Sequence, residues 1–455
     1  MHAIQTVLDR MAGYGSRPAV VWRGREQSYT DFLLSVDGWA VAFEQHGIKA
    51  GTVCAVLGEF SPKTCSLFFA LMKARAIIVP LTRAVQAELD AFLAIAGAEV
   101  LITVDPSDEV SVSKLPAPVP NALVTEFLKR QSPGLVVFTS GSTGKPKGIL
   151  HDCERVMRKF AVERQGWRSI LFLLMDHFGG FNTFLGAFAY GGTAVCVADR
   201  SPKAVCEAIQ FGRATLLPTT PTFINLLIAS STYRAFDLSS IELITYGTEV
   251  MPEATLAKVR SIFPKALIKQ TYGLSELGVL RSKSENDASL WVKIGGDGFE
   301  IKVVDNILWV RSEANMVGYL NAPTPFDADG WMCTGDQVET RGEYMRIIGR
   351  KSDMINVGGQ KVFPAEVETV LLSAPNIKEA TAYGVPHPLM GHVVHARISL
   401  ETDESAEAVT ERLRAHCLTR LSKYKIPLRF VLVDADAQHT ERFKKQRSGF
   451  EEPKS

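Results

Sequence analysis

This 455-residue chain lacks an excess of either charge: 50 lysines and arginines face 49 aspartates and glutamates, a formal net charge of +1. That balance leaves no basic footprint for nucleic acid and no reason to expect an anionic surface as partner. Paired cysteine spacing is missing too. The seven cysteines, at 54, 65, 153, 196, 206, 333 and 417, are odd in number and contain no CxxC. Neither a disulfide framework nor a zinc site is expected, and the thiols read as reduced in a cytoplasmic protein. Clean apolar runs are also absent. Met1 to Arg10 has Asp9 and Arg10 where a signal peptide needs an apolar stretch. The most apolar region, Ile170 to Val197, is interrupted by Asp176, His177, Asn182 and five glycines. It fails as a membrane span and reads as buried sheet and loop. There is no internal repeat and no low-complexity tract apart from a polar last turn, 448–455.

The chain does have 46% hydrophobic residues, 22% charged residues and a length that calls for at least two domains. From about residue 50, short apolar runs alternate with helical patterns. Val53–Leu57 and Ile77–Pro80 read as strands flanking a helix at Ser66–Lys73. Further strands are predicted at 100–103, 135–138, 194–197, 216–217 and 243–245. Alternation of this kind predicts an α/β fold: a large N-terminal domain of wound, mostly parallel sheets covered by helices. Near residue 350 the pattern changes to a glycine-punctuated stretch, Ile348–Asp353, followed by Gly358 and Gly359. A helix then begins near Pro364, with proline at an early helical position. We place a boundary there, giving domains 1–349 and 350–455, the second a small α+β unit.

The strongest local signal is Thr139-Ser140-Gly141-Ser142-Thr143-Gly144-Lys145-Pro146-Lys147-Gly148, entered directly from the apolar run Leu135–Phe138. Glycines let the backbone curl and turn successive N–H groups toward an anion. The hydroxyls of Thr139, Ser140, Ser142 and Thr143 add donors, and Lys145 and Lys147 add positive charge. That chemistry suits a polyphosphate. It is not the ordinary P-loop, because Pro146 after Lys145 discourages the helix that a P-loop requires. A plain polar turn needs two or three such residues, not ten.

The loop resembles the signature of the adenylate-forming superfamily of acyl-CoA synthetases, peptide-synthetase adenylation domains and firefly luciferase. Further landmarks follow in the order of that family: Tyr272-Gly-Leu-Ser-Glu276, Gly330-Trp-Met-Cys-Thr-Gly-Asp336, Ile348–Asp353 and Gly358–Glu368. The short stretches Ser28–Phe32 and Gly384–Pro388 fall in register as well, so the likeness spans nearly the whole chain.

The resemblance implies ATP and magnesium as reactants, a carboxylic acid activated as an acyl-adenylate, and transfer to CoA or to a carrier-protein phosphopantetheine. By the same resemblance Glu276 holds the magnesium, Ser275 bonds the α-phosphate, and Tyr272 with Gly273 lines adenine. Asp336 takes the ribose hydroxyls, with Arg350 nearby on ribose or phosphate. Gly247, Thr248 and Glu249, in Tyr246–Val250, line adenine and the acid. His177, in Leu173–Asn182, lines the acid pocket, with Phe178, Phe181 and Tyr246 as walls and Gly179–Gly180 leaving space. Asp176 is out of position to bind an α-amine, so an aliphatic or aromatic acid without one is expected. Gly358 and Gly359 suit a narrow pantetheine passage in a mobile C-terminal lid.

Two departures stand out. Thr440, Lys444 and Arg447 match the family tail, whose lysine reaches the adenylation site, but Phe443 replaces its glycine. Ser352 stands where the hinge usually carries aspartate or lysine. Besides an acid:CoA ligase, an acyl-AMP ligase that loads a carrier protein stays open; with no carrier domain in this chain it would act in trans. The two departures, Phe443 and Ser352, support a third reading, a non-catalytic descendant that binds nucleotide or acyl ligand.

Overall fold

The protein was analysed as a computed structural model that describes residues 2–140, 146–197, 199–296, 298–434 and 438. Two seven-stranded sheets form the larger body. In the first, Leu267–Gln270, Leu243–Tyr246, Leu216–Thr219, Arg168–Leu171, Thr193–Cys196 and Pro18–Trp22 run parallel, and Arg25–Ser28 closes the edge antiparallel. In the second, Gly134–Ser140, Ile77–Leu81, Val53–Leu57 and Val100–Val104 are parallel. Its flanks, Pro146–Asp152 with Gly318–Tyr319 on one side and Val110–Lys114 on the other, are antiparallel. Strands Val53–Leu57 and Ile77–Leu81 are buried at every position. They therefore read as continuous apolar runs, as parallel strands covered on both faces must.

Helices between the two sheets supply the core. Pro62–Lys73 is capped by Ser61, whose hydroxyl accepts the Thr64 N–H, and carries proline in its first turn. It packs on Phe178–Ala189 through Phe68, Phe69, Phe181, Phe184 and Phe188, with ring centroids 5.1–5.5 Å apart. Burying each such ring contributes roughly 1.5–3 kcal/mol. The helix Phe178–Ala189 corrects the reading of 170–197 as sheet and loop. Phenylalanines at 178, 181, 184 and 188 recur at helical spacing, and that periodicity outweighs the glycines between them.

A third sheet has six strands, all antiparallel: Ser282–Ser284, Val292–Ile294, Tyr344–Arg350, Met332–Arg341, Ile307–Ser312 and Phe299–Val304. The alternation reading had not anticipated it. Beyond Arg350 comes a five-stranded sheet built from Ile355–Val357, Gln360–Val362, Ile377–His387, Gly391–Leu400 and Arg429–Leu432. Helices Pro364–Leu372 and Ala406–Leu418 pack on it around a separate apolar cluster that includes Val367, Leu371, Ala396, Ile398 and Leu413. Among the described residues no helix is long and apolar enough to cross a membrane.

Candidate active site

The loop signature opens as a hairpin. Thr139 pairs with Lys147 and Ser140 with Pro146 across strands Gly134–Ser140 and Pro146–Asp152, so the polar run begins inside the ladder. Gly141, Ser142, Thr143, Gly144 and Lys145 lie outside the described residues. The base of the loop is held by a residue that the sequence reading missed. Asn321 accepts the Gly148 N–H at 3.1 Å and donates to the Pro146 carbonyl at 2.9 Å. Its neighbour Tyr319 sits under the Lys147 ammonium, 5.2 Å from ring centroid to Nζ.

Tyr319 also links the loop to the second motif, its hydroxyl donating to Glu276 Oε1 at 2.6 Å. Burial and that carboxylate push the phenol well above its ordinary range, so it stays a donor. The backbone of the same motif is anchored twice. Met316 N–H donates to the Glu276 carbonyl at 2.8 Å, and His151 Nε2 lies 2.7 Å from the Ser275 carbonyl. His151 is buried, with its ring 4.8 Å from Phe178, and burial lowers its pKa to about 4. It is therefore a neutral N–H donor at pH 7.

Tyr272 ends in a buried hydroxyl that donates to Asp336 Oδ2 at 2.6 Å. Asp336 sits opposite Arg350 in the antiparallel sheet, and the guanidinium Nε approaches Oδ1 to 3.3 Å. Burial raises the Asp336 carboxyl, while Arg350 and the tyrosine hydroxyl pull it back down. Gly335, at φ +74, is the turn that aims it, and the Asp336 backbone N–H donates to Thr334 Oγ1 at 3.0 Å. Tyr246 is tied to this group through its carbonyl, which accepts from the Thr271 N–H at 2.7 Å and the Thr271 hydroxyl at 3.0 Å. Gly247 permits that approach, since a Cβ there would stand 2.6 Å from Thr271 Oγ1. Thr248 adopts φ +72, and Glu249 is occupied by the Thr222 N–H and hydroxyl at 3.2 and 2.5 Å. A backbone held in the left-handed region beside a site is a store of strain.

Three expectations need correcting. The expected pocket walls Phe178, Phe181 and Tyr246 are 5%, 1% and 1% exposed and belong to the apolar cores, so none of them is an open wall. Gly180 does not leave space either: a Cβ there would meet the Leu174 carbonyl oxygen at 2.0 Å, so its missing side chain admits backbone. Only Gly179 opens onto free volume. At the C-terminal hairpin, Met390 Cε already fills the side-chain position of Gly358, 2.6 Å from where a Cβ would be, whereas Gly359 is open. His177 stands at the N-cap of Phe178–Ala189, half-buried. Asp176 is buried and accepts the Thr82 hydroxyl at 3.1 Å. Gly273 packs so closely on the facing strand that a Cβ would meet the Gly278 carbonyl at 2.7 Å. Thr440, Phe443, Lys444 and Arg447 lie outside the described residues.

Contacts through Asn321 and Tyr319 thus join the loop base to Glu276, and Tyr272, four residues before Glu276, is bonded to Asp336. The family profile for AMP-binding enzymes matches residues 8–320, and that for the AMP-binding enzyme C-terminal domain matches 366–444. The chain belongs to the AMP-binding enzyme family. This AMP-binding enzyme is 26% identical over 434 residues to a long-chain-fatty-acid–CoA ligase of Mycobacterium tuberculosis, covering 86% of each chain. It is 28% identical over 486 residues to an indoleacetate–CoA ligase of Aromatoleum aromaticum, covering 94% of this chain and 93% of the relative. In fold it is similar to the o-succinylbenzoate CoA synthetase of Bacillus subtilis in complex with its acyl-adenylate intermediate. That match has a TM-score of 0.74 and 22% identity, and covers 97% of both chains. It is also similar to an anthranilate CoA ligase in complex with anthranoyl-AMP, with a TM-score of 0.79 and 20% identity, covering 95% and 93%.

The donor set also fits the implied magnesium. Among the described residues no group of three or more His, Cys, Asp or Glu side chains is placed to hold a metal. A single carboxylate at Glu276 suits an ion that takes its remaining ligands from phosphate oxygens and water.

Proposed function

We propose that this AMP-binding enzyme activates a carboxylic acid with ATP and passes the acyl group to CoA. In the first step a carboxylate oxygen attacks the α-phosphorus and pyrophosphate leaves, giving acyl-AMP. In the second the CoA thiol attacks the acyl carbon, AMP leaves and a thioester forms. Such chemistry asks for alignment and charge neutralisation more than for covalent help. The observation that carries the reading is the buried Tyr272–Asp336 pair, with Arg350 on the second carboxylate oxygen and Tyr272 on the same backbone segment as Ser275 and Glu276. A carboxylate fixed this way, with Tyr272 on one oxygen and Arg350 on the other, has lone pairs left for two ribose hydroxyls.

In this reading Glu276, steadied by Tyr319, holds magnesium, which supplies charge neutralisation to the phosphates. The Ser275 hydroxyl bonds the α-phosphate, and the loop 139–148 with Lys145 and Lys147 wraps the β- and γ-phosphates. His177, Gly247, Thr248 and Glu249 border the acid and adenine. Lys444 brings its ammonium between the incoming carboxylate and the α-phosphate. Residues 1–349 bind ATP and acid, while 350–455 act as a lid that turns about Ser352 and presents Gly359 to pantetheine. Seven free cysteines, six of them buried, accord with a reducing, cytoplasmic setting.

The test is incubation with ATP, magnesium and a panel of carboxylic acids, with and without CoA, followed by mass spectrometry of the products. An acid-specific acyl-CoA with AMP supports the proposal. Acyl-AMP that never becomes acyl-CoA points to a carrier protein as acceptor. ATP binding without turnover of any acid overturns the catalytic reading.

A further inference from the structure

Residues 316–321 form a strap that touches both the phosphate loop and the second motif. At its start the Met316 N–H donates to the Glu276 carbonyl at 2.8 Å. Gly318 and Tyr319 then pair antiparallel with Leu150 and Ile149, on the strand that leaves the loop. The Val317 and Leu320 N–H groups donate to the Leu150 and Gly148 carbonyls at 2.7 and 2.8 Å. Asn321 closes the strap on Pro146 and Gly148. The fit is close, since a Cβ on Gly148 would stand 3.0 Å from Leu320 Cδ1. The strap is also held from outside, because the Leu320 carbonyl accepts from Asn121 Nδ2 at 2.9 Å.

One side chain of the strap meets charge in both directions. Lys147 Nζ lies over the Tyr319 ring at 5.2 Å, and the Tyr319 hydroxyl donates to Glu276 Oε1 at 2.6 Å. All three residues are half-buried. The two contacts reinforce each other. A cation on the ring face draws electron density from the phenol and makes its hydroxyl a stronger donor. A carboxylate on the hydroxyl returns density to the ring and holds the cation better. The hydroxyl takes one carboxylate oxygen and leaves the other for a ligand.

We propose that Tyr319 is a positioning residue that couples the phosphate loop to the magnesium carboxylate, so that phosphates and the metal they carry are taken up together. The inference rests on the reading that Glu276 holds magnesium and the loop holds phosphates. Lys147 and Glu276, of opposite charge and on separate segments, are set at fixed places by one phenol before nucleotide arrives. Magnesium then finds an oriented carboxylate, and the phosphates find an oriented ammonium.

The test reads binding, not turnover. ATP is titrated calorimetrically in EDTA and in excess magnesium, with AMP as the control that lacks the β- and γ-phosphates. The parent is expected to bind ATP more tightly with magnesium than without. Tyr319→Phe keeps the ring under Lys147, so its affinity in EDTA should hold. Its gain from magnesium should fall about tenfold, as when a group that bonds a metal ligand is removed. Tyr319→Leu removes the ring as well and should also weaken ATP in EDTA, while AMP affinity stays level in both variants. Lys147→Met should lose part of the same gain, and in the double variant with Tyr319→Phe the losses should not add, because one phenol carries both contacts. Lys147→Met also reads the coupling if the Tyr319 variants fail to fold. An undiminished gain in Tyr319→Phe or Lys147→Met, additive losses, or equal weakening of ATP and AMP overturns the coupling and leaves the adenylation reading standing. A parent that binds neither ATP nor AMP overturns the nucleotide reading and this inference with it.

Discussion

The nucleotide side of the site and the hairpin at Gly358–Gly359 solve opposite problems. Around Tyr272, Ser275, Glu276 and Asp336, polar groups are bonded before any ligand arrives: hydroxyl to carboxylate at 2.6 Å twice, and imidazole to carbonyl at 2.7 Å. Around residues 358–359 the chain offers exposed backbone at φ +57 and +85, with Met390 as the nearest side chain. Where charge develops, fixed dipoles and charges lower the barrier because they need no reorganisation. In the proposed reading a long thiol arm passes at this hairpin, and the useful feature there is the absence of side chains. The two regions should therefore fail in different half-reactions.

The largest break in that contrast is Lys444→Ala, expected to lower pyrophosphate release by roughly 100-fold or more while thioester formation from supplied acyl-AMP continues. Equal loss of both steps would remove the lysine from the first half-reaction. Glu276→Gln keeps the Tyr319 contact but not the charge, and should cost a similar factor that excess magnesium only partly restores. Asp336→Ala strands the Tyr272 hydroxyl and the Arg350 guanidinium. It is expected to raise the KM for ATP roughly 10- to 100-fold, since hydrogen bonds to charged groups contribute about 1.5–3 kcal/mol. The variant should also cease to distinguish ATP from 2′-deoxy-ATP. Persisting discrimination would place the ribose elsewhere.

Gly359→Val tests the other side. A β-branched residue at φ +85 is strained, and its side chain would enter the open volume, so thioester formation should slow by about tenfold or more, well beyond any change in pyrophosphate release. The smallest effect at neutral pH belongs to His151. Its folded pKa of about 4 lies below the usual 6.5, so the folded state resists protonation. The stability this gives is complete above pH 6.5 and is lost as the pH falls from there toward 4, on the order of 3 kcal/mol in all. Urea titrations of the parent and of His151→Gln should diverge across that window and run parallel above it.

The features legible in the sequence were the local ones. The loop 139–148, Tyr272–Glu276 and Thr334–Asp336 each carry their chemistry within ten residues, and the strands at Val53–Leu57 and Ile77–Leu81 are apolar at nearly every position. Partners distant in the chain were not legible. Tyr319 reaches Glu276 across 43 residues, and Lys159 reaches Val279 across 120, with no pattern in their own neighbourhoods to announce it. The antiparallel third sheet escaped because its edge strands are short and largely exposed, as in Phe299–Val304. The helix Phe178–Ala189 escaped because glycines at 179, 180 and 186 drew more weight than the phenylalanine spacing. Gly180 and Gly358 were read as room when packing had already used it, and only the folded backbone distinguishes the two.

Acid-dependent exchange of labelled pyrophosphate into ATP, measured without CoA, tests the central claim most directly. The account predicts exchange that needs magnesium and one class of carboxylic acid and is indifferent to the thiol, because the nucleotide side completes its reaction before the acceptor side is engaged. Exchange that appears only when CoA is present, or that fails with every acid although ATP binds, would contradict it.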